Sequence, residues 1–240
     1  MCGRFKLSAS GAKIVQAFRI ASHIDLLPRY NIAPGQDIAT IRWQPETKER
    51  GLVMLRWGLV PAWAKEAKIG YSLINARAET LTEKPSFREA FRKRRCLIPA
   101  DGFYEWRQVN AKRKQPYAIT MKDSCIFAFA GLWEQWQDKV TGEIIESCTV
   151  ITTAPNEICA PIHDRMPVIL APQNYAAWLG EESATQDQLT SILKPYPADR
   201  MTTYPIAPQI GTAKNDSPLL AEPMADQEPP DMNQQRAFIF

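Results

Sequence analysis

The second residue of the chain is a cysteine, directly behind Met1, and so small a side chain at that position permits removal of the methionine. The mature chain then starts at Cys2, with an α-amine and a thiol on neighbouring carbons. At reference pKa values of about 7.7–8.0 and about 8.5, both are partly in their nucleophilic forms near neutral pH. Such a 1,2-aminothiol condenses with an aldehyde to an imine, and the sulfur then closes a five-membered thiazolidine on the same carbon. A lone serine or lysine cannot make that ring. A small second residue also serves processing alone, so this reading depends on the company Cys2 keeps.

That company includes further residues with usable chemistry. Asn75, in Asn75-Ala76-Arg77-Ala78-Glu79-Thr80, donates and accepts hydrogen bonds without titrating; an asparagine here would equally stabilise a turn. Glu105 lies between aromatics in Gly102-Phe103-Tyr104-Glu105-Trp106. Desolvation there would raise its pKa and suit it to proton transfer, the alternative being an outward-facing strand carboxylate. His163, in Pro161-Ile162-His163-Asp164-Arg165-Met166-Pro167, titrates in the range of a proton carrier, with Asp164 or Arg165 to orient it. His23 sits in no such motif and reads as an ordinary surface residue.

The five cysteines, Cys2, Cys96, Cys125, Cys148 and Cys159, are odd in number and scattered, which points to a reducing compartment and not to a disulfide-stapled domain. With no C-x-x-C pair and only two histidines, no structural zinc set is present, and neither metal nor cofactor is expected. No apolar run reaches the ~20 residues of a membrane span, and the start of the chain lacks the layout of a secretory signal. A cytoplasmic protein is expected.

These residues must be positioned by the surrounding elements. The pattern of Ile14, Val15 and Phe18 predicts a helix over Ser10 to Arg19. Ser86-Phe87-Arg88-Glu89 matches a capping box opening a helix with Phe87, Ala90 and Phe91 inward. Further helices are predicted over Asn174 to Leu179, stopped by Gly180, and over Gln186 to Leu193, before Pro195. Strands are predicted at Leu52–Leu59, Cys96–Ile98, Phe103–Trp106, Tyr117–Met121, Ile126–Leu132, Cys148–Thr153, Val168–Leu170 and Met201–Ile206. Because strands run in clusters and do not alternate with helices, the class is α+β and not a doubly wound sheet. One domain over residues 2–221 is expected, with residues 222–240, rich in proline and polar side chains, as a mobile tail.

A net charge of +3 does not by itself identify a nucleic-acid binder. The distribution is more telling: Lys84, Arg88, Arg92, Lys93, Arg94 and Arg95 face only Glu89 in their stretch. Such a run is most often a solvated face.

The start Met1-Cys2-Gly3-Arg4-Phe5 resembles that of the SRAP family, the SOS response-associated peptidase or abasic-site processing proteins. Further blocks of resemblance follow in order: Arg29 to Gly35, Trp57 to Trp63, Asn75 to Thr80, Arg95 to Trp106 and Ile162 to Pro167. The resemblance implies a single compact domain with a barrel-like, mainly antiparallel sheet flanked by helices, and a basic cleft at the N-terminus. It implies that Cys2 is the covalent nucleophile, with Asn75, Glu105 and His163 at the other catalytic positions. Arg4, Trp63 and Arg77 match groove positions that would contact phosphate and bases; the alternative for Trp63 is core packing. Pro85 stands where some relatives carry a basic residue.

The partner so implied is single-stranded DNA holding an abasic site, or a junction of single and double strands. Capture would shield the lesion in the DNA damage response, with possible lyase chemistry and self-processing at Met1. A monomer is expected, associated with the nucleoid when on DNA if the source is bacterial. Two rivals remain: a thiol peptidase, and a non-catalytic single-stranded-DNA binding module. A Cys159–His163 dyad would suit the peptidase, but Pro161 interrupts the helical spacing that would join them.

Overall fold

The computed structural model describes residues 2–21 and 25–224; His23 and the predicted tail beyond residue 224 lie outside them. In chain order the elements are strand β1 (Phe5–Leu7), helix α1 (Gly11–Phe18), then β2 (Arg29–Ile32), β3 (Asp37–Gln44), β4 (Glu49–Trp57) and β5 (Asn75–Arg77). Helix α2 (Arg88–Lys93) precedes β6 (Arg95–Ala100), β7 (Gly102–Gln108), β8 (Lys114–Met121), β9 (Phe127–Gln137) and β10 (Ile144–Thr153). The chain ends with β11 (Met166–Pro167), β12 (Ile169–Leu170), α3 (Tyr175–Leu179), α4 (Gln186–Ser191) and β13 (Met201–Pro205).

Five strands close into a barrel in the order β10-β4-β3-β6-β9, the ring completed by the β9–β10 pairing. The β4–β10 pairing is parallel and the other pairings of the ring are antiparallel. A second sheet, β13-β8-β7-β1-β2, packs against the barrel. Phe5 of β1 meets Trp57 and Phe129 edge-on at centroid distances of 5.3 and 5.7 Å, and Phe103 of β7 meets Phe129 at 6.0 Å. Because both faces of β6 and of the first half of β9 are covered, these stretches read as nearly continuous apolar runs without alternation. The whole is one α+β domain with a barrel, additional strands and few helices.

Helix α1 forms as predicted, with Ile14 and Phe18 buried, Ser10 accepting the Lys13 N–H, and Arg19 in the left-handed conformation at the C-cap. Helices α3 and α4 also match, α3 stopping at Gly180 (φ 86°) and α4 opening on a capping box between Thr185 and Gln188. The capping box expected at Ser86 does not form. The N-cap of α2 is Phe87, and the carbonyl of Lys84 accepts the N–H groups of both Phe87 and Arg88. That backbone turn satisfies the first donors of the helix, and Glu89 pairs with Arg92 at 3.0 Å. Phe87, Ala90 and Phe91 are buried as expected.

One close approach shapes the route into β5. Gly58 holds φ +131°, and a Cβ there would lie 2.7 Å from the Gly70 carbonyl oxygen, while one on Gly70 would lie 2.6 Å from that of Gly58. Only glycines allow the 3₁₀ segment Ala67–Ser72 to press so tightly against the end of β4. The chain then enters β5, which joins β10 in parallel with Asn75 opposite Val150 and Arg77 opposite Thr152. At the other terminus, residues 222–224 are tied down: the Met224 N–H donates to the Pro205 carbonyl at 2.9 Å.

Candidate functional site

Cys2 lies three residues before the start of β1, and its free side chain is fully buried. β1 is held by β7 through the pairs Phe5↔Phe103 and Lys6↔Gly102, and by the Tyr104 N–H donating to the Arg4 carbonyl at 2.9 Å. The antiparallel direction runs the chain start back along β7 toward Glu105. Burial, and the charge of Glu105, push the Cys2 thiol well above the ordinary range, so the sulfur rests as a neutral thiol.

Glu105 is 4% exposed on β7, and burial raises its carboxyl to about 8. Asp164 pushes it the same way, while the Trp106 backbone N–H and Lys114 oppose. His163 follows a turn that its own backbone closes, the N–H groups of Ile162 and His163 both donating to the Cys159 carbonyl. The turn is stapled by buried Asn156, whose Oδ1 accepts from the Cys159 N–H at 3.0 Å and whose Nδ2 donates to the Tyr196 carbonyl at 2.7 Å. Burial lowers the imidazole pKa; Asp164 and Lys114, which also act on Glu105, act on the ring in opposite senses. Glu105 and His163 are thus neighbours in one electrostatic environment, although they lie on different elements.

Asn75 opens β5, and its Nδ2 donates to the Cys2 carbonyl at 2.9 Å. Its Oδ1 is buried and has no hydrogen-bond partner among the described residues. The structure therefore brings Cys2, Asn75, Glu105 and His163 together from β1, β5, β7 and the loop after β10.

The three predicted groove residues differ in setting. Arg77 is exposed, two positions along β5 from Asn75. Trp63 is 58% exposed, so it is not a core residue, and its Nε1 donates to the Pro85 carbonyl at 3.4 Å. Arg4 is half-buried, and its guanidinium donates to Asn31 Oδ1 and to the carbonyls of Ile210 and Gly211 at 2.7–2.9 Å. Within the basic run, Arg94 pairs with Glu134 at 2.7 Å, and Arg95 donates to the carbonyls of Phe91, Arg92 and Trp178. Those two brace the ends of α2 and α3, leaving Arg88, Arg92 and Lys93 exposed.

Of the residues around the site, Asn156 and Glu79 were not singled out by residue type, and Cys159 was considered only as half of a dyad. Cys159 is buried, and burial with the charge of Glu105 pushes its thiol up to about 12, far from the thiolate a peptidase dyad needs. Asn156 and Glu79 sit among polar loop residues, with no local sign of what they hold. Among the described residues no group of three or more His, Cys, Asp or Glu could hold a metal ion, and no helix is long and apolar enough to cross a membrane.

The family model described as SOS response associated peptidase (SRAP) matches residues 1–213. The chain belongs to the SRAP family. The abasic site processing protein YoqW of Bacillus subtilis is 48% identical over 225 residues, covering 92% of this chain and 99% of that protein. The abasic site processing protein HMCES of Xenopus tropicalis is 31% identical over 220 residues, covering 80% of this chain and 64% of that protein. Among solved structures, a crystal structure of a protein from Bacteroides thetaiotaomicron superposes with a TM-score of 0.83 at 30% identity, covering 93% of this SRAP chain and 100% of that one.

Proposed function

We propose that this SRAP protein processes abasic sites in DNA, capturing the lesion's aldehyde on Cys2 as a thiazolidine. The observation that carries the reading is the convergence of buried Cys2 and Glu105 with half-buried Asn75, which is bonded to the Cys2 carbonyl while its buried Oδ1 has no donor among the described residues. Once Met1 is removed, the α-amine of Cys2 would supply an N–H to that oxygen, orienting the nitrogen lone pair for attack.

The chemistry then runs in two bond-forming steps. The amine adds to C1′ of the open-chain sugar. Glu105, protonated at neutral pH by its raised pKa, gives its proton to the departing hydroxyl, and water leaves with formation of the imine. The imine formed in this way is protonated, its nitrogen keeping one hydrogen; the Cys2 thiol next adds to C1′, its proton returning to the Glu105 carboxylate, and the ring closes. The sum is aldehyde plus aminothiol giving thiazolidine plus one water. Ring closure is intramolecular and so outruns elimination of the 3′ phosphate from the imine, the lyase branch. His163 carries the proton that accompanies opening of the sugar hemiacetal. Arg77 and exposed Trp63 would hold the strand, by phosphate pairing and base stacking.

The family description also contains the word peptidase. The high thiol pKa of Cys159 speaks against a second nucleophile, so peptidase chemistry is proposed only for the release of Met1.

Intact-mass measurement after mixing with abasic single-stranded DNA tests the reading. The expected product has lost one methionine and gained the oligonucleotide less one water, and it survives denaturation. A protein blocked by retained Met1 or by acetylation of Cys2 should give none. Equal, salt-sensitive binding to intact and abasic strands without a covalent product would establish the plain binding module instead.

A further inference from the structure

The orientation of His163 is set from outside the pocket. The backbone N–H of Arg165 donates to His163 Nδ1 at 3.0 Å, and in a neutral imidazole an accepting Nδ1 leaves the proton on Nε2. Asp164 Oδ1 lies 2.8 Å from the same nitrogen and would require the opposite tautomer, so the two contacts compete on a neutral ring. The Asp164 side chain is 88% exposed and has water as an alternative partner, whereas the Arg165 amide is part-buried. The amide therefore decides the tautomer, and Asp164 becomes the partner of Nδ1–H only when the ring is protonated.

What holds that amide in place is its own side chain. Arg165 donates NH1 to Glu79 Oε1 at 2.7 Å and NH2 to Glu79 Oε2 at 2.9 Å, and NH2 also reaches the Thr152 carbonyl at 2.7 Å. This fork-to-fork pairing fixes direction as well as distance. The Arg165 hydrogen bond keeps the Glu79 carboxyl below the usual carboxylate range, so the clamp is charged throughout the neutral region. Glu79 stands in the 3₁₀ turn Ala78–Thr80 directly behind β5, the strand of Asn75 and Arg77. One ion pair thus joins β5, the end of β10 and the loop of His163.

We propose that Glu79 is a positioning residue: gripping Arg165 bidentately, it fixes the Arg165 amide against Nδ1 and so holds His163 as its Nε2–H tautomer. The proposal rests on the reading of His163 as the proton carrier. It separates the two candidates for orienting the ring, since Arg165 acts through its backbone and Asp164 only on the protonated form.

The chain has two histidines, His23 and His163, so a long-range ¹H–¹⁵N spectrum of the imidazoles resolves both, and His163→Gln assigns them. In the wild type above its pKa, His163 should show an unprotonated Nδ1 and a protonated Nε2. In Glu79→Gln the two nitrogen shifts should move toward a common average, and cross-linking of an abasic single strand should slow about 10-fold or more. Affinity for a strand carrying a tetrahydrofuran abasic analogue should stay unchanged. Arg165→Lys, which keeps the charge but loses the fork, should repeat the pattern, and Glu79→Asp should recover part of both effects. Should Glu79→Gln and Arg165→Lys both retain the wild-type tautomer, the clamp does not set it and the proposal fails, even if cross-linking slows. Should the spectra respond as expected while the wild type forms no covalent product with abasic DNA, the abasic-site reading falls and the clamp stands.

Discussion

At the scale of single residues, the chemistry depends on groups held away from their ordinary titration. Glu105 is shifted from 4.5 to about 8 by burial. Between those values the folded protein keeps a proton that the unfolded chain gives up, so stability falls as pH rises through this window and levels off above about 8. Glu105→Gln removes the dependence: relative to it, the wild type should lose several degrees of melting temperature between about pH 5 and about pH 8 in a thermal scan. In the proposed reaction the same shift sets the pH profile. Deprotonation of the amine, at about 7.7–8.0, gives the ascending limb of the rate profile, and loss of the Glu105 proton near 8 gives the descending one. Glu105→Gln should cross-link about 100-fold more slowly and without the descending limb. Cys2→Ala, processed at Met1, keeps the amine and loses the sulfur. It should yield an imine trapped only by borohydride, with more strand cleavage, both read on one denaturing gel; a heat-stable adduct without reductant would place the nucleophile elsewhere.

At the scale of elements, the site is assembled by short segments whose position comes from neighbours. β5 spans only Asn75–Arg77 and is held in register by β10 and by the contact of Gly58 with Gly70 upstream. Gly58→Ala would force a Cβ within 2.7 Å of a backbone oxygen at φ +131°. The expected cost is about 2–4 kcal/mol in chemical denaturation, with cross-linking lowered beyond the loss of folded protein because Asn75 shifts. A neutral result would mean that the 67–72 segment does not steer β5. The helices and most of the longer strands were legible in the sequence because their signals are local: Ile14 and Phe18 one turn apart, Gly180 at a helix end, β-branched runs in β10. β1, β2, β3, β5 and β11 were not predicted. β1, β5 and β11 are two or three residues long, too short for a period to show, and β3, with its buried Ile38 to Ile41, carries no clean alternation.

At the scale of the whole molecule, the chain start is locked between two sheets and by a segment from its far end. Arg4 bonds to Asn31 and to the carbonyls of Ile210 and Gly211, and Asn31 itself donates to the carbonyls of Ile210, Thr212 and Asn215. We therefore expect Arg4 and Arg77, which the sequence motifs treat alike, to separate on substitution. Arg4→Ala should cost about 2–3 kcal/mol of stability, since it leaves the part-buried Ile210 carbonyl and buried Asn31 short of a charged donor. Arg77→Ala, exposed on β5, should leave melting unchanged and reduce the salt dependence of single-strand binding by about 0.7 in the log–log slope, one phosphate contact. An unchanged slope for Arg77→Ala would remove it from the groove.

The order and identity of the proposed reactive groups come from the sequence alone: an aminothiol after Met1, a carboxylate between aromatics, one histidine between prolines, and strands in clusters that exclude a doubly wound fold. Their meeting was decided by tertiary structure. Cys2 and Asn75 are joined across 73 positions, Arg165 and Glu79 across 86, and Arg4 and Ile210 across 206. Local propensity has no term for such distances; they follow from closing β9 on β10 and laying β4 and β5 parallel to β10, a pairing that buries most of β9 and β10. The same burial raises Glu105, lowers His163 and turns Arg4, Arg94 and Arg95 from apparent surface charges into internal braces. A desolvated group takes its properties from the atoms around it, and those atoms come from every part of the chain.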